Sequence, residues 1–266
     1  MSPDELVISL IGMMVAGLAW ARWYAQPRRI RSARPTRAGR LVLDVIPLVA
    51  AIALFVVLKT LSAHDVRDDV RYLGLYFLLG CGWVGGALAL IPFGGVSARD
   101  DVIERGNESA AWVIGGAILG VTLCFAGGNI GDGPGWWVVV FSAALATAAL
   151  FVAWLLVEVL TGVSDTITID RDRAAGVRVA GFLVACGLVL GRAVAGDWTS
   201  AQATVMDFGI YAWPVLLLVV LAYVIERTAR PTADRPAADP FALGVIPAIA
   251  YLVIAIVQLA RLGLPA

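Results

Sequence analysis

Arg105-Gly106-Asn107-Glu108-Ser109-Ala110-Ala111, leading at Gly116 into an apolar run, returns as Asp170-Arg171-Asp172-Arg173-Ala174-Ala175-Gly176, leading at the same offset into Gly181. Self-similarity at a fixed spacing marks a repeated supersecondary unit. In both copies a short polar residue, Asn107 or Asp172, stands before an apolar run. A helix that starts there leaves unbonded N–H groups, and such a side chain caps them. Each opening run is followed by a second one that returns and ends in Glu158 or Glu226. A weaker echo links Val45-Ile46-Pro47 with Val245-Ile246-Pro247, each downstream of an Arg-Pro-Thr tripeptide. The pattern predicts a chain of repeated helical hairpins.

Composition sets the solvent around those hairpins. The chain has 266 residues, 60% hydrophobic and 15% charged, with a mean hydropathy of +0.86. A water-soluble core of this size has no room for so much apolar surface. A bilayer core needs about 20 apolar residues per helix, and about eight stretches supply them: 6–23, 41–61, 72–93, 109–126, 136–160, 174–194, 205–225 and 241–262. The expected fold class is therefore all-α, a polytopic integral membrane protein. It divides into a three-helix segment (1–101), tandem two-helix repeats (102–227) and a final helix (228–266), all in one membrane domain. The first stretch carries a small-residue pattern at Ala19 and Ala21 but opens on Asp4 and Glu5, so it reads as a retained helix rather than a cleaved signal.

Arginine placement orients the spans, because short cytoplasmic loops collect Lys and Arg. Arg28, Arg29, Arg31, Arg34, Arg37 and Arg40 form the densest cluster, and Arg99 and Arg105, then Arg171, Arg173 and Arg178, then Arg227, Arg230 and Arg235 follow in alternate loops. The expectation is that both termini lie outside. The first cluster is also a candidate contact for anionic lipid. Net charge is zero, so no global field would gather nucleic acid. Trp23, Tyr24, Trp136, Trp137 and Trp198 fall at expected span ends, while Trp83 and Trp213 are expected to pack deeper. GxxxG spacings at Gly82 and Gly86, Gly116 and Gly120, and Gly187 and Gly191 predict close helix packing.

The Val102-Ile103-Glu104-Arg105-Gly106-Asn107 run with Ala110-Ala111, and Ile169-Asp170-Arg171-Asp172-Arg173-Ala174-Ala175-Gly176, carry a family resemblance. This Asn-x-Ala-Ala pattern ahead of a glycine-rich helix resembles the family called domain of unknown function 350, bacterial inner-membrane proteins with tandem two-helix units. The resemblance covers roughly 102–227 and implies topology and cellular setting rather than chemistry. Asp172 departs from the asparagine of the pattern; it keeps a capping oxygen, adds a negative charge and loses the amide donor.

Little else points to chemistry. Cys81, Cys124 and Cys186 sit in apolar runs without CxxC spacing, and His64 is the single histidine, so no catalytic residues, metal ligands or cofactor are expected. Ionisable residues inside spans are functional candidates by default: Asp44, Lys59, Glu158, Arg192, Asp207, Glu226 and Arg261. Lys59, Arg192 and Arg261 lie where long side chains reach the headgroups. Glu158 and Glu226 are placed to pair with arginines of the following loop, and Asp207 to approach Arg192. Thr122 and Thr147 are the hydroxyls expected near the midplane. The leading expectation is a non-enzymatic scaffold or interaction subunit that associates with a membrane-protein partner or with itself. The competing one is a channel or transporter for a small solute or ion.

Overall fold

The computed structural model describes residues 1–30, 35–231 and 239–263. Helices are the regular elements among the described residues, with two isolated backbone bridges, from Ser62 to Ile130 and to Gly131. Eleven α-helices run in order: α1 (Pro3–Arg29), α2 (Arg37–Thr60), α3 (His64–Asp68), α4 (Val70–Ala87), α5 (Glu108–Gly127), α6 (Trp136–Thr161), α7 (Val163–Thr168), α8 (Arg173–Ala193), α9 (Ala201–Tyr211), α10 (Pro214–Ala229) and α11 (Ile246–Leu262). Widened π turns at Ala98–Glu104 and Phe241–Val245 lead toward α5 and into α11. Among the described residues six helices are long and apolar enough to cross a membrane: α1, α2, α5, α6, α8 and α11 with its π turn. Counting α9 and α10, bent by 42° at their junction, as one span makes seven. The eighth expected span is α4, which Arg71, its glycines and its aromatic residues leave less apolar, over only 18 residues.

Two layers follow from the contacts. α2, α5, α8 and α11 stand side by side in that order, all four starting at the arginine-rich end. α1, α4, α6 and α10 run the other way and cover this row: α1 lies on α4, α4 on α2 and α5, α6 on α5 and α8, and α10 on α6 and α8. The middle of the row is the core. In their most apolar windows α5 and α8 are 83% and 78% buried, against 17%, 33% and 22% for α1, α2 and α11. The outer helices instead expose large apolar side chains, among them Leu10, Met14 and Leu18 on α1 and Ile249, Val253 and Ile256 on α11, as a bilayer solvent favours.

Each of α2, α5 and α8 opens on a short polar side chain that accepts a backbone N–H, and another such side chain precedes the π turn that leads into α11. Thr36 takes Gly39 N at 3.1 Å. Asn107 takes the amides of Ser109 and Ala110 at 2.9 and 3.2 Å, Asp172 those of Ala174 and Ala175 at 3.1 Å each, and Asp239 that of Phe241 at 2.9 Å. The first amides at this end would otherwise lack partners. The turns before α5 and α8 also match. Asn107 N donates to Asp101 O and Asp172 N to Thr166 O, and Gly106 and Arg171 share the left-handed conformation at φ 61° and 55°.

Close backbone approach, the use of glycine that GxxxG spacing predicts, fixes the spacing of the row. A Cβ on Gly116 would lie 2.5 Å from Ala180 Cα, one on Gly120 2.7 Å from Leu183 O, one on Gly187 2.6 Å from Gly120 O and one on Gly191 2.5 Å from Leu123 O. These contacts recur one unit along. Gly176 abuts Ser109 as Gly244 abuts Ala174, and Gly116 abuts Ala180 as Gly181 abuts Ala248. The α5–α8 and α8–α11 interfaces are thus two copies of one packing. At the opposite end the loops also join unit to unit, Gly196 N donating to Ile130 O at 2.8 Å and Trp198 N to Asp132 O at 2.7 Å.

Gly82 and Gly86 do not repeat the device as a pair. A Cβ on Gly82 would meet Gly12 O of α1 at 3.0 Å, whereas one on Gly86 would meet nothing within 4 Å. The α1 contact continues instead at Gly85, where a Cβ would meet Ala19 Cβ at 2.7 Å. Trp213 is likewise not a packing residue. It sits at the α9–α10 bend and is 51% exposed. Trp83 packs against Phe125 and donates to Thr147 Oγ1 at 3.1 Å.

Candidate functional site

Among the described residues a buried charge pair bridges helices where α8, α10 and α11 meet near the arginine-rich end; Asp101, the other buried carboxylate, bonds locally to Ser97 N and Arg105. Arg178, six residues beyond the Asp172 cap, is 0% exposed. Its Nε donates to Glu226 Oε1 at 2.8 Å and its Nη2 to Glu226 Oε2 at 2.7 Å, a two-pronged pair from α8 to α10. Its Nη1 donates to Leu243 O at 2.5 Å, at the π turn that starts α11. The Asp172 carboxylate stands 4.0 Å from Nη2. One guanidinium thus spends its fork on α10 and on the start of α11. The planar five-donor head of arginine suits such a junction, where a lysine could not match the carboxylate edge.

The π turn gives this contact its acceptor. Leu243 lies inside Phe241–Val245, where the widened ladder shifts the backbone bonding pattern. Beside the pair, Tyr251 is 1% exposed, stacks edge-on against Phe182 with centroids 5.9 Å apart, and its hydroxyl has no protein partner among the described residues. Burying a charge is tolerable only where it is paired and bonded. Arg178 and Glu226 meet that condition together and neither meets it alone.

The cap at Asp172 belongs to the same arrangement. In the preceding unit Asn107 caps α5, its amide Nδ2 donates to Ile167 O at 2.8 Å, and Val113 occupies the position matching Arg178. In the next unit the valine has become Arg178 and the capping asparagine a carboxylate facing it. The charge at Asp172 therefore has a partner that Asn107 lacks. Ser109 Oγ donates to Asp172 O at 2.6 Å and ties the two caps together across the α5–α8 interface.

The other ionisable candidates lie apart from this cluster. Glu158 accepts from Ser164 N at 2.8 Å and Ser164 Oγ at 2.6 Å, fixing the turn from α6 into α7; its partner is a serine and not an arginine of the following loop. Glu226 likewise reaches back to α8 rather than on to Arg227 or Arg230. Arg192 does not pair with Asp207. It donates to Gly263 O at 2.8 Å and Leu262 O at 3.4 Å, satisfying carbonyls at the end of α11, while Asp207 is exposed on α9. Asp44 is exposed on α2 and lines a polar recess with Tyr24, Arg28 and Arg40. Lys59 donates to Arg67 O at 2.6 Å, and Arg261 is exposed. Arg37 opens α2; Arg31, Arg34 and Arg235 lie outside the described residues. The midplane hydroxyls are committed, Thr122 donating to Ile118 O at 2.7 Å and Thr147 accepting from Trp83.

Arg178 is the residue that counting loop charges misplaces. It stands in Ala174-Ala175-Gly176-Val177-Arg178-Val179-Ala180, and a capping residue six positions earlier puts it more than a turn inside the helix. The cap was the signal that could have found it.

The repeat is also what a family model detects. The model described as Domain of Unknown Function (DUF350) matches residues 72–194 and again 133–262. The chain belongs to the DUF350 family. The two matches overlap across α6 to α8 and extend the repeat beyond 102–227, to α4 on one side and α11 on the other. No curated protein and no solved structure matches the chain.

Proposed function

We propose that this DUF350 protein is a non-enzymatic component of a bacterial inner membrane that works by helix-to-helix association, as a scaffold or interaction subunit. In this reading α4 and the α9–α10 pair also span, giving eight crossings with both termini outside. The cytoplasmic arginines, including Arg28, Arg29, Arg37 and Arg40, then lie against anionic headgroups. The observation that carries the proposal is the solid interior of the α5–α8–α11 row. Backbone meets backbone at Gly116, Gly120, Gly187 and Gly191, and the hydroxyls beside the row bond within the protein. Such a row presents a rigid platform whose outer helices, α1, α2, α10 and α11, offer apolar faces to other membrane helices. Association in lipid proceeds by packing of this kind, without a hydrophobic driving force between helices.

Affinity purification at native abundance from gently solubilised membranes, with intact-mass measurement of the complex, tests the proposal. A stoichiometric membrane-protein partner or a defined homo-oligomer is the expected outcome. A chain that is monomeric in both mild detergent and native membranes would sink it and leave the solute-pathway reading, with Asp44 and Asp207 as the residues to substitute first.

A further inference from the structure

Along α1 a groove runs from the middle of the helix to the arginine-rich end. Its apolar half, about 340 Å³, is lined by Ile11 and Val15 of α1, Leu79, Trp83 and Gly86 of α4 and Thr147 of α6. The adjoining half, about 360 Å³, shares Gly86 and is bounded by Arg22 and Gln26 of α1 and Arg99 of the π turn. Ile11, Val15, Arg22 and Gln26 follow one another at three- to four-residue spacings or multiples of them and so share one side of the helix. From Ile11 to Arg22 the groove extends about 16 Å at 1.5 Å per residue, close to half of a hydrocarbon core about 30 Å thick.

From this we infer that the groove is a site for one anionic phospholipid of the leaflet at the arginine-rich end, with an acyl chain along Ile11, Val15 and Trp83 and the headgroup phosphate at Arg22. The cation is available: Arg22 is exposed and makes no ion pair among the described residues, whereas Arg99 is bonded to Glu104 at 3.2 Å. Length and charge both select the occupant. A partner helix would cover the apolar half but has no need of a cation at leaflet depth, and a free anion would ignore the apolar half. Gly86 stands where the two halves meet, and a side chain there would point into space that holds no protein atom within 4 Å of its Cβ. That distinguishes it from Gly82, whose neighbour is the α1 backbone. The inference rests on the bilayer setting proposed above but not on any protein partner, so the two tests fail separately.

The test is native mass spectrometry of the purified chain exchanged into detergent micelles containing phosphatidylglycerol or phosphatidylcholine of the same acyl chains. The wild type is expected to retain one phosphatidylglycerol in preference to phosphatidylcholine. Arg22→Gln is expected to cut that preference about fivefold, the effect of one basic side chain at an anionic surface. Gly86→Leu fills the groove and is expected to abolish retention of either lipid with the melting temperature unchanged. Equal retention of the two lipids by the wild type overturns the proposal, and so does a Gly86→Leu protein that holds phosphatidylglycerol as the wild type does. If Gly86→Leu does not fold, Arg22→Gln decides alone, and an unchanged preference in that variant overturns the site.

Discussion

Replacing Gly187 with alanine adds one methyl group at a backbone-to-backbone contact of the α5–α8 interface. The new Cβ would stand 2.6 Å from Gly120 O and 2.7 Å from Gly120 Cα. Carbon contacts are most favourable near 3.5–4.0 Å, so the two helices must separate locally by about 0.8–1 Å. Both neighbours are backbone and no rotamer change relieves the clash. Overpacking of this kind costs about 1–3 kcal/mol, and a gap of that width forfeits a quarter to a half of each contact it opens. We expect about 2–3 kcal/mol of destabilisation, or roughly 5–10 °C in melting temperature for a chain of this size, read by thermal unfolding in mild detergent. Gly86→Ala is the internal control: it adds the same methyl group in the open groove and is expected to be neutral or slightly stabilising, since alanine favours helix over glycine. A Gly187→Ala protein as stable as the wild type, or equal losses in the two variants, would refute the backbone-contact account of the row.

Arg178→Leu strands the Glu226 carboxylate in a buried site and is expected to cost about 3–5 kcal/mol, whereas the double variant Arg178→Leu/Glu226→Leu recovers most of that loss; a double variant no better than the single one would show that the pair is not the source of the effect. Asn107→Asp keeps the bonds to the Ser109 and Ala110 amides but sets an acceptor against Ile167 O in place of a donor, so it should cost about 1–3 kcal/mol. Asp172→Asn keeps its cap and should cost less, because Arg178 remains bonded to Glu226; chemical denaturation of both variants checks the order, and the reverse order contradicts the assignment.

Those residues differ in how much of their role a reader of the sequence could see. Asn107 and Asp172 were legible because a cap is a local device: the side chain, the following amides and the apolar run lie within a few residues. Gly116, Gly120, Gly187 and Gly191 were legible as interface residues from spacing alone, although the backbone each one meets was not. Arg178 was not legible, because its acceptors are Glu226 and Leu243, far along the chain, and a count of loop arginines assigned it to the wrong compartment. Gly86 shows the limit of a spacing rule, which gives the interval between two glycines and not the neighbour each one faces. Arg192 was matched to the nearest acid by depth, but a guanidinium also bonds carbonyls at a helix end, and Gly263 and Leu262 supply them. The bend between α9 and α10 falls at Trp213-Pro214. Proline is well tolerated at a helix start, and there it opens α10 rather than kinking a continuous span.

The central claim is that the row helices α2, α5, α8 and α11 all start on the cytoplasmic side of a membrane. Cysteine accessibility tests it most directly, in a protein whose Cys81, Cys124 and Cys186 have been replaced by alanine. Asp132→Cys lies in the loop between α5 and α6, and Asp170→Cys lies just before the Asp172 cap; both positions are exposed. With a membrane-impermeant maleimide, we expect Asp132→Cys to be labelled in intact cells and Asp170→Cys only after the inner membrane is permeabilised. Labelling of Asp170→Cys from outside, with Asp132→Cys protected, would invert the row and contradict the account.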